Sequence, residues 1–374
     1  MNYKPQTFPH FSTRTVLAGC LLSIGALALA KSAVVADESP LAATPAVADS
    51  QTPEKTPAPT KSAAPDPNLP AADEILTQLR TKLEGLDSLR CELHQTSLIS
   101  GMKLTARGKY LEASGNRVNL EFMIFPMVAE KADDAKQLAL DAEAPPVDEA
   151  QNRGLLNQVS DGSVLSTFWK NGDMQRVSRR DITSILAAAE ATKAYDVKNA
   201  AMDLGVGGLR GLVSRLQTTM EFVPVKSITV GERKVYEVTG RWSERIRREV
   251  FKVPEGSIVD PRPHVPEYVR VYVDAETMLP RRIQFLKRSM DPTAKIVRPL
   301  ITLDFRNLVI NEPVDDQAFV FKTPEKAVEV DETEGVIQMI QQSLKPASAE
   351  PTAPAAAVTP GTSATPTTPA EPGK

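Results

Sequence analysis

Residues 117–124 read RVNLEFMI, with Val118, Leu120, Phe122 and Ile124 on alternate positions. Successive side chains of a strand point to opposite faces, so these four apolar groups share one face. The other face carries Arg117, Asn119, Glu121 and Met123. One apolar face and one wet face is the pattern of a strand in an antiparallel sheet. The same alternation appears on either side. Leu89, Cys91 and Leu93 precede it, then Met102, Leu104 and Ala106, continuing to Tyr110. After it, QVSDGSVLSTFW (158–169) holds Asp161-Gly162, a strong two-residue hairpin turn, and strand pattern continues through Met174 and Val177.

The C-terminal half repeats the hairpin theme. Residues 226–242 turn at Gly231-Glu232, and residues 267–288 turn near Asp274 to Thr277. LITLDFRNLVINEPV (300–314) and AFVFKTP (318–324) are expected to close the sheet. Helical spacing is confined to a few places. Ile75, Leu76, Leu79 and Leu83 form an opening helix that Gly85 ends. Asp181 caps a helix bearing Ile182, Ile185, Leu186 and Ala189. Leu209, Leu212, Val213 and Leu216 fall at i, i+3, i+4 and i+7, an amphipathic stripe. A last helix is expected near Thr333–Leu344.

A long antiparallel meander curls, and a curled sheet with one apolar face needs a cover. The mid-chain helices carry the obvious stripes. The expected fold is therefore α+β: an incomplete antiparallel barrel closed by a helical lid. Its apolar lining comes from Val118, Leu120, Phe122 and Ile124 on the sheet. The lid supplies Ile182, Leu186, Leu209, Leu212, Val213 and Leu216.

Composition sets the domain limits. Residues 37–70 and 346–374 hold half of the chain's 30 prolines and almost no large apolar residues. Such segments cannot bury enough surface to offset their ordering entropy, so both are expected to be disordered. The folded domain is residues 71–345, interrupted by an acidic, Ala/Pro-rich insertion at 127–153. Residues 1–36 form an export signal, with Lys4, Arg14 and an apolar run from Val16 to Ala30. Cleavage fits after Ala30 or after Ala36. Leu17-Ala18-Gly19-Cys20 resembles a lipidation box, but most of the apolar run follows Cys20 instead of preceding it. The reading is a soluble periplasmic protein from which Cys20 is removed. Cys91 is then the one remaining thiol, so no internal disulfide forms.

The parts of an enzyme are missing. The three histidines are His10, His94 and His264, and none has metal-ligand spacing. Glu92 and His94 share a strand face, which suits a surface pair better than general acid–base work. GVGGLRG (205–211) lacks the spacing of a phosphate loop and suits a hinge before the Leu209 helix. A net charge of −3 gives no sign of nucleic-acid binding. SERIRREVFK (243–252) is a basic stretch in which Arg245, Arg247 and Arg248 suit docking to acidic headgroups or to a partner.

Three segments, in order, resemble the bacterial lipoprotein carrier family LolA. LRTKLEGLDSLRCELHQT (79–96) is similar to its opening helix and first strand, QVSDGSVLSTFW to its central hairpin, and VDDQAFVFKTPEKAVEVDE (314–332) to its ending. The resemblance implies a half-barrel with a helical lid and an acyl-chain cavity. It also implies transport without catalysis or a cofactor, in a monomer that carries lipid or lipidated protein. Relatives of the fold act as envelope regulators, which keeps a protein partner as the alternative. The carriers have an Arg-Pro followed by an aromatic beyond the second strand, which governs lid closure. Here Ser114-Gly115 and Val118 stand at those places, and Arg117 is out of register.

Overall fold

The computed structural model describes residues 69–99, 102–126, 128–129, 154–191, 207–249, 251, 253–254, 257, 265–288 and 297–343. The expected signal, nearly all of the 37–70 segment, the 346–374 segment and nearly all of the 127–153 insertion lie outside the described residues.

The chain opens with helix α1, Ala72–Glu84, whose Ile75, Leu76, Leu79 and Leu83 are buried and which stops at Gly85. Asp73 and Glu74 in its first turn and Lys82 in its last complement the helix dipole. Strands β1 (Ser88–Ile99), β2 (Met102–Ala113) and β3 (Arg117–Ile124) follow as an antiparallel meander. The two-residue strand β4, Val128–Ala129, pairs with β2. Strands β5 (Gly154–Asp161), β6 (Val164–Asn171) and β7 (Met174–Asp181) extend the sheet beyond β3. The expected turn joins β5 to β6. Gly162 there has φ 100°, and Asp161 Oδ1 accepts from the amides of Ser163 and Val164.

Helix α2, Ile182–Ala191, starts where Asp181 accepts the Ser184 amide at 3.0 Å. Helix α3, Gly208–Thr219, runs without a loop into the short strand β8, Met220–Phe222. Strands β9 (Lys226–Val230) and β10 (Arg233–Trp242) form a hairpin, followed by the short helix α4, Glu244–Glu249. Strands β11 (Tyr268–Asp274), β12 (Pro280–Arg288) and β13 (Val297–Ile310) return the chain to β1. Strand β14 (Val328–Asp331) and helix α5 (Thr333–Ser343) end the fold.

All 14 strands belong to one sheet, in the order β14-β7-β6-β5-β3-β2-β1-β13-β12-β11-β10-β8, with β4 on β2 and β9 on β10. The first and last strands of that order are not paired to each other, so the barrel is incomplete. Only the β14–β7 pair is parallel among those described. The chain between β13 and β14 departs from the expected strand at 318–324. Asp315 accepts the Gln317 amide and starts a 3₁₀ turn, Asp316–Phe319, which buries Phe319. The closing strand lies later, at β14.

The pleat assigns the two faces. Leu93, Ala106, Leu120 and Leu156 point to an inner face that α1 and α3 cover, and their buried side chains form one core with Val238, Val271, Ile283 and Phe305. Leu165, also on the inner face by its pairing with Ser160, packs under α2 and α5 in a second, smaller core. The long helices therefore all lie on one side of the sheet. Phe319 packs on the other side, where Arg117 stacks on its ring and Asn119 donates to Ala318 O.

Phe122 is 0 % exposed at the centre of the main core. Phe122→Ala is expected to cost about 3–5 kcal/mol, read by urea unfolding. Met174→Ala, at a 61 % exposed position, should stay within about 0.5 kcal/mol of the parent.

Candidate functional site

The inner face of β1–β3 is the apolar surface that the sequence singled out. Val118, Leu120 and Phe122 are buried there, and Ile124 packs at its margin. Leu209, Val213 and Leu216 of α3 press onto the same core from above, with half-buried Leu212 beside them. These eight residues pack in one core, to which α3 itself contributes. Ile182 and Leu186 are elsewhere. They pack with Leu165, Ile185, Ala189 and Ile340 between α2 and α5. The expected single lid is two separate covers, because α5 supplies the apolar partner that α2 needs.

Polar groups sit at the start of α3, within this apolar surrounding. Tyr110 and Glu112 follow Ala106 in alternation on β2, so both point inward. Tyr110 Oη donates to Glu112 Oε2 at 2.6 Å. The Leu209 amide donates to both, at 3.0 Å in each case. Arg210 Nε lies 2.9 Å from Glu112 Oε1, and its Nη2 donates to Leu86 O. Gly208 has φ 54°, and a Cβ there would meet the Glu112 carboxyl and Tyr110 Oη at 2.6 Å. Only glycine fits this approach and this backbone at once.

Burial pushes the Glu112 carboxyl above its ordinary value, against the opposing pull of Tyr110, Arg210 and the two amides. The same burial raises the Tyr110 phenol well above its usual range. Cys91 shares the inner face of β1, and burial, then Glu112 and Glu92, push its thiol up to about 12. A thiol so placed is inert at neutral pH.

Arg245, Arg247 and Arg248 lie on α4, whose Ile246 joins the main core and which follows Ser243, whose amide donates to Thr219 O at the end of α3. Arg247 and Arg248 are both engaged with Glu244, at 2.9 and 2.8 Å, and Arg247 also donates to Ser257 O. Glu244 is held below the usual carboxylate range, chiefly by Arg248. Arg247 and Arg248 thus share one carboxylate within their own helix.

Glu92 and His94 are on the outer face, with His94 Nε2 3.9 Å from Glu92 Oε2. They line an open groove of about 340 Å³ together with Arg107, Gly108, Lys109, Glu121 and Met123. Burial and the charges of Arg107 and Arg306 lower the His94 pKa. Among the described residues, no group of three or more His, Cys, Asp and Glu is placed to hold a metal. Nor is any described helix long and apolar enough to cross a membrane.

No protein-family model matches this chain, and no curated protein matches it. Among solved structures, it is similar to a LolA superfamily protein from Nitrosomonas europaea, with 9 % identity over 68 % of this chain and 99 % of that one, at a TM-score of 0.25. The lipoprotein LppX of Mycobacterium tuberculosis is 11 % identical over 65 % of this chain and 97 % of its own, with a TM-score of 0.29. The Pseudomonas aeruginosa MucA/MucB complex matches at 12 % identity over 68 % and 62 %, with a TM-score of 0.29. With every score below 0.5, the fold is read from strand order and helix placement. On that basis it is an open, largely antiparallel sheet with helices over one face.

The Glu112 cluster makes a stability prediction. Its raised pKa means that the folded state holds this proton more tightly than the unfolded state. The ionised group therefore lowers stability as pH rises from the ordinary 4.5 through the raised value. Arg210 offsets that loss. Arg210→Ala is expected to cost about 1–3 kcal/mol at pH 7 and less at pH 5, measured by denaturant titration at both.

Proposed function

We propose that this protein binds acyl chains, of a lipid or of a lipidated protein, on the inner face of its sheet when α3 lifts away. The observation that carries the reading is the continuous apolar surface of Val118, Leu120, Phe122 and Ile124, on which α3 lays its own apolar stripe. The reading includes export and work in the periplasm, and ferrying without catalysis.

The energetics suit reversible exchange. Burying a Val or Leu side chain stabilises by about 1.5–3 kcal/mol. Lifting the buried Leu209, Val213 and Leu216 out of the core thus costs about 4.5–9 kcal/mol, and half-buried Leu212 adds less. An acyl chain of about fourteen methylenes gains about 11 kcal/mol at about 0.8 kcal/mol per buried CH₂. The two are close, so a chain displaces the helix without being trapped. A ligand shifts such an equilibrium only through its preference for the open state. The acyl chain has that preference because the closed state leaves it in water.

The binding test is a titration of the purified protein with a fluorescent acyl probe, competed by a triacylated lipopeptide and by free phospholipid. Saturable binding displaced by either competitor supports the reading, and absence of saturable binding overturns it. Displacement by the lipopeptide specifies lipidated protein as the cargo; displacement by phospholipid alone specifies lipid. Leu212→Gln, at a half-buried position on α3, should weaken probe binding about five- to tenfold. Its stability should fall by less than about 1.5 kcal/mol. A large loss of stability with unchanged probe affinity would make Leu212 a plain core residue.

A further inference from the structure

We infer that Tyr110, Glu112 and Arg210 form a charge-gated clasp that sets how readily the N-terminal end of α3 leaves the sheet. The inference deepens the proposed function and rests on the reading that α3 opens over the inner face.

The geometry makes the two ends of α3 unequal. At its C-terminal end the helix passes directly from Thr219 into β8, which is hydrogen-bonded to β10. That end is anchored by the sheet and serves as the pivot. At the other end, the polar attachments among the described residues are those of the clasp: the Leu209 amide on Tyr110 and Glu112, and Arg210 on Glu112 and Leu86 O. Every one of these contacts crosses between α3 and the β1–β2 part of the fold. Opening α3 breaks them together and returns the Glu112 carboxylate to water.

The charge state of Glu112 decides what that step costs. The groups that face it are Tyr110 on its own strand, Cys91 on β1, and Arg210 with the Leu209 amide on α3. Val118 faces it from β3 and carries no charge. Tyr110 and Cys91 are both pushed upward and stay neutral below pH 8, and arginine stays charged throughout. Glu112 is therefore the member of the clasp that changes charge between acid and neutral pH. Buried in the closed state, it holds its proton above the ordinary 4.5; solvated in the open state, it returns toward that value. Deprotonation then favours opening, by up to about tenfold per pH unit between those two limits. Acid tightens the clasp and neutral pH loosens it.

The test is hydrogen exchange of the α3 amides in the ligand-free protein between pH 4 and pH 8, corrected for intrinsic exchange. Amides of β1 and β2 report global stability in the same samples. The expected result is a rise in α3 opening with pH in the parent, and a flat profile in Glu112→Gln, which keeps the shape and removes the charge. Gly208→Ala places a methyl against Glu112 and Tyr110 and should raise α3 opening several-fold at every pH, with β1 and β2 protection retained. A parent profile without pH dependence, a Glu112→Gln profile that keeps the parent's slope, or an unchanged Gly208→Ala would overturn the clasp. If α3 opens as expected but no acyl probe binds, the clasp stands and the proposed function fails. If the probe binds while α3 opening ignores Glu112, the function stands and the clasp fails.

Discussion

An open sheet with one apolar face cannot be left in water, and the rest of this structure follows from covering it. The inner face runs from Phe305 and Ile283 across Leu93 and Leu120 to Leu165. Among the described residues no strand closes the gap between β14 and β8, and the cover comes from helices. Four helices of ten or more residues are described, and all sit on that side. The outer face is polar around Glu92, His94, Arg107 and Lys109, and Phe319 packs on it near Arg117 and Asn119.

The cover is not uniform. α1 packs with five buried aliphatic side chains and no buried charge. α3 presses on the same core but is tied at one end by a buried carboxylate. Removing one partner of a buried charge is expensive, while an apolar replacement of the whole group is often neutral. A helix meant only to be a lid would be held as firmly by leucine. Glu112 instead gives α3 an attachment that is specific in position and sensitive to charge, over the apolar face proposed to receive acyl chains.

Much of this was legible before the fold was known. The period-two pattern of 117–124, the Asp161-Gly162 turn, the Asp181 cap and the α3 stripe each depend on near neighbours, and each is found where expected. What escaped depends on distant partners. Whether Ile182 and Leu186 join the main core or a second one is decided by α5, some 150 residues later in the chain. The strand expected at 318–324 gave way to a turn because Asp315 caps the chain locally and Phe319 finds burial on the outer face. Glu112 did carry a signal. Continuing the alternation of Leu104, Ala106 and Tyr110 places a carboxylate on the apolar face, where it requires a cation from elsewhere. Nothing local identifies Arg210 as that cation. Likewise, nothing in the basic stretch itself identifies Ser257 O as an acceptor for Arg247.

The central claim is that α3 is a movable cover over the inner face. The direct measurement is a pair of spin labels on Ser214→Cys in α3 and Lys109→Cys on the outer face of β2, in a chain also carrying Cys20→Ser. Buried Cys91, its thiol pushed up to about 12, stays unlabelled. The account predicts that a saturating acyl ligand lengthens the distance between the labels and that its removal restores the original distribution. An unchanged distance with ligand bound would show that acyl chains, if held at all, are held without moving α3, and would contradict the account.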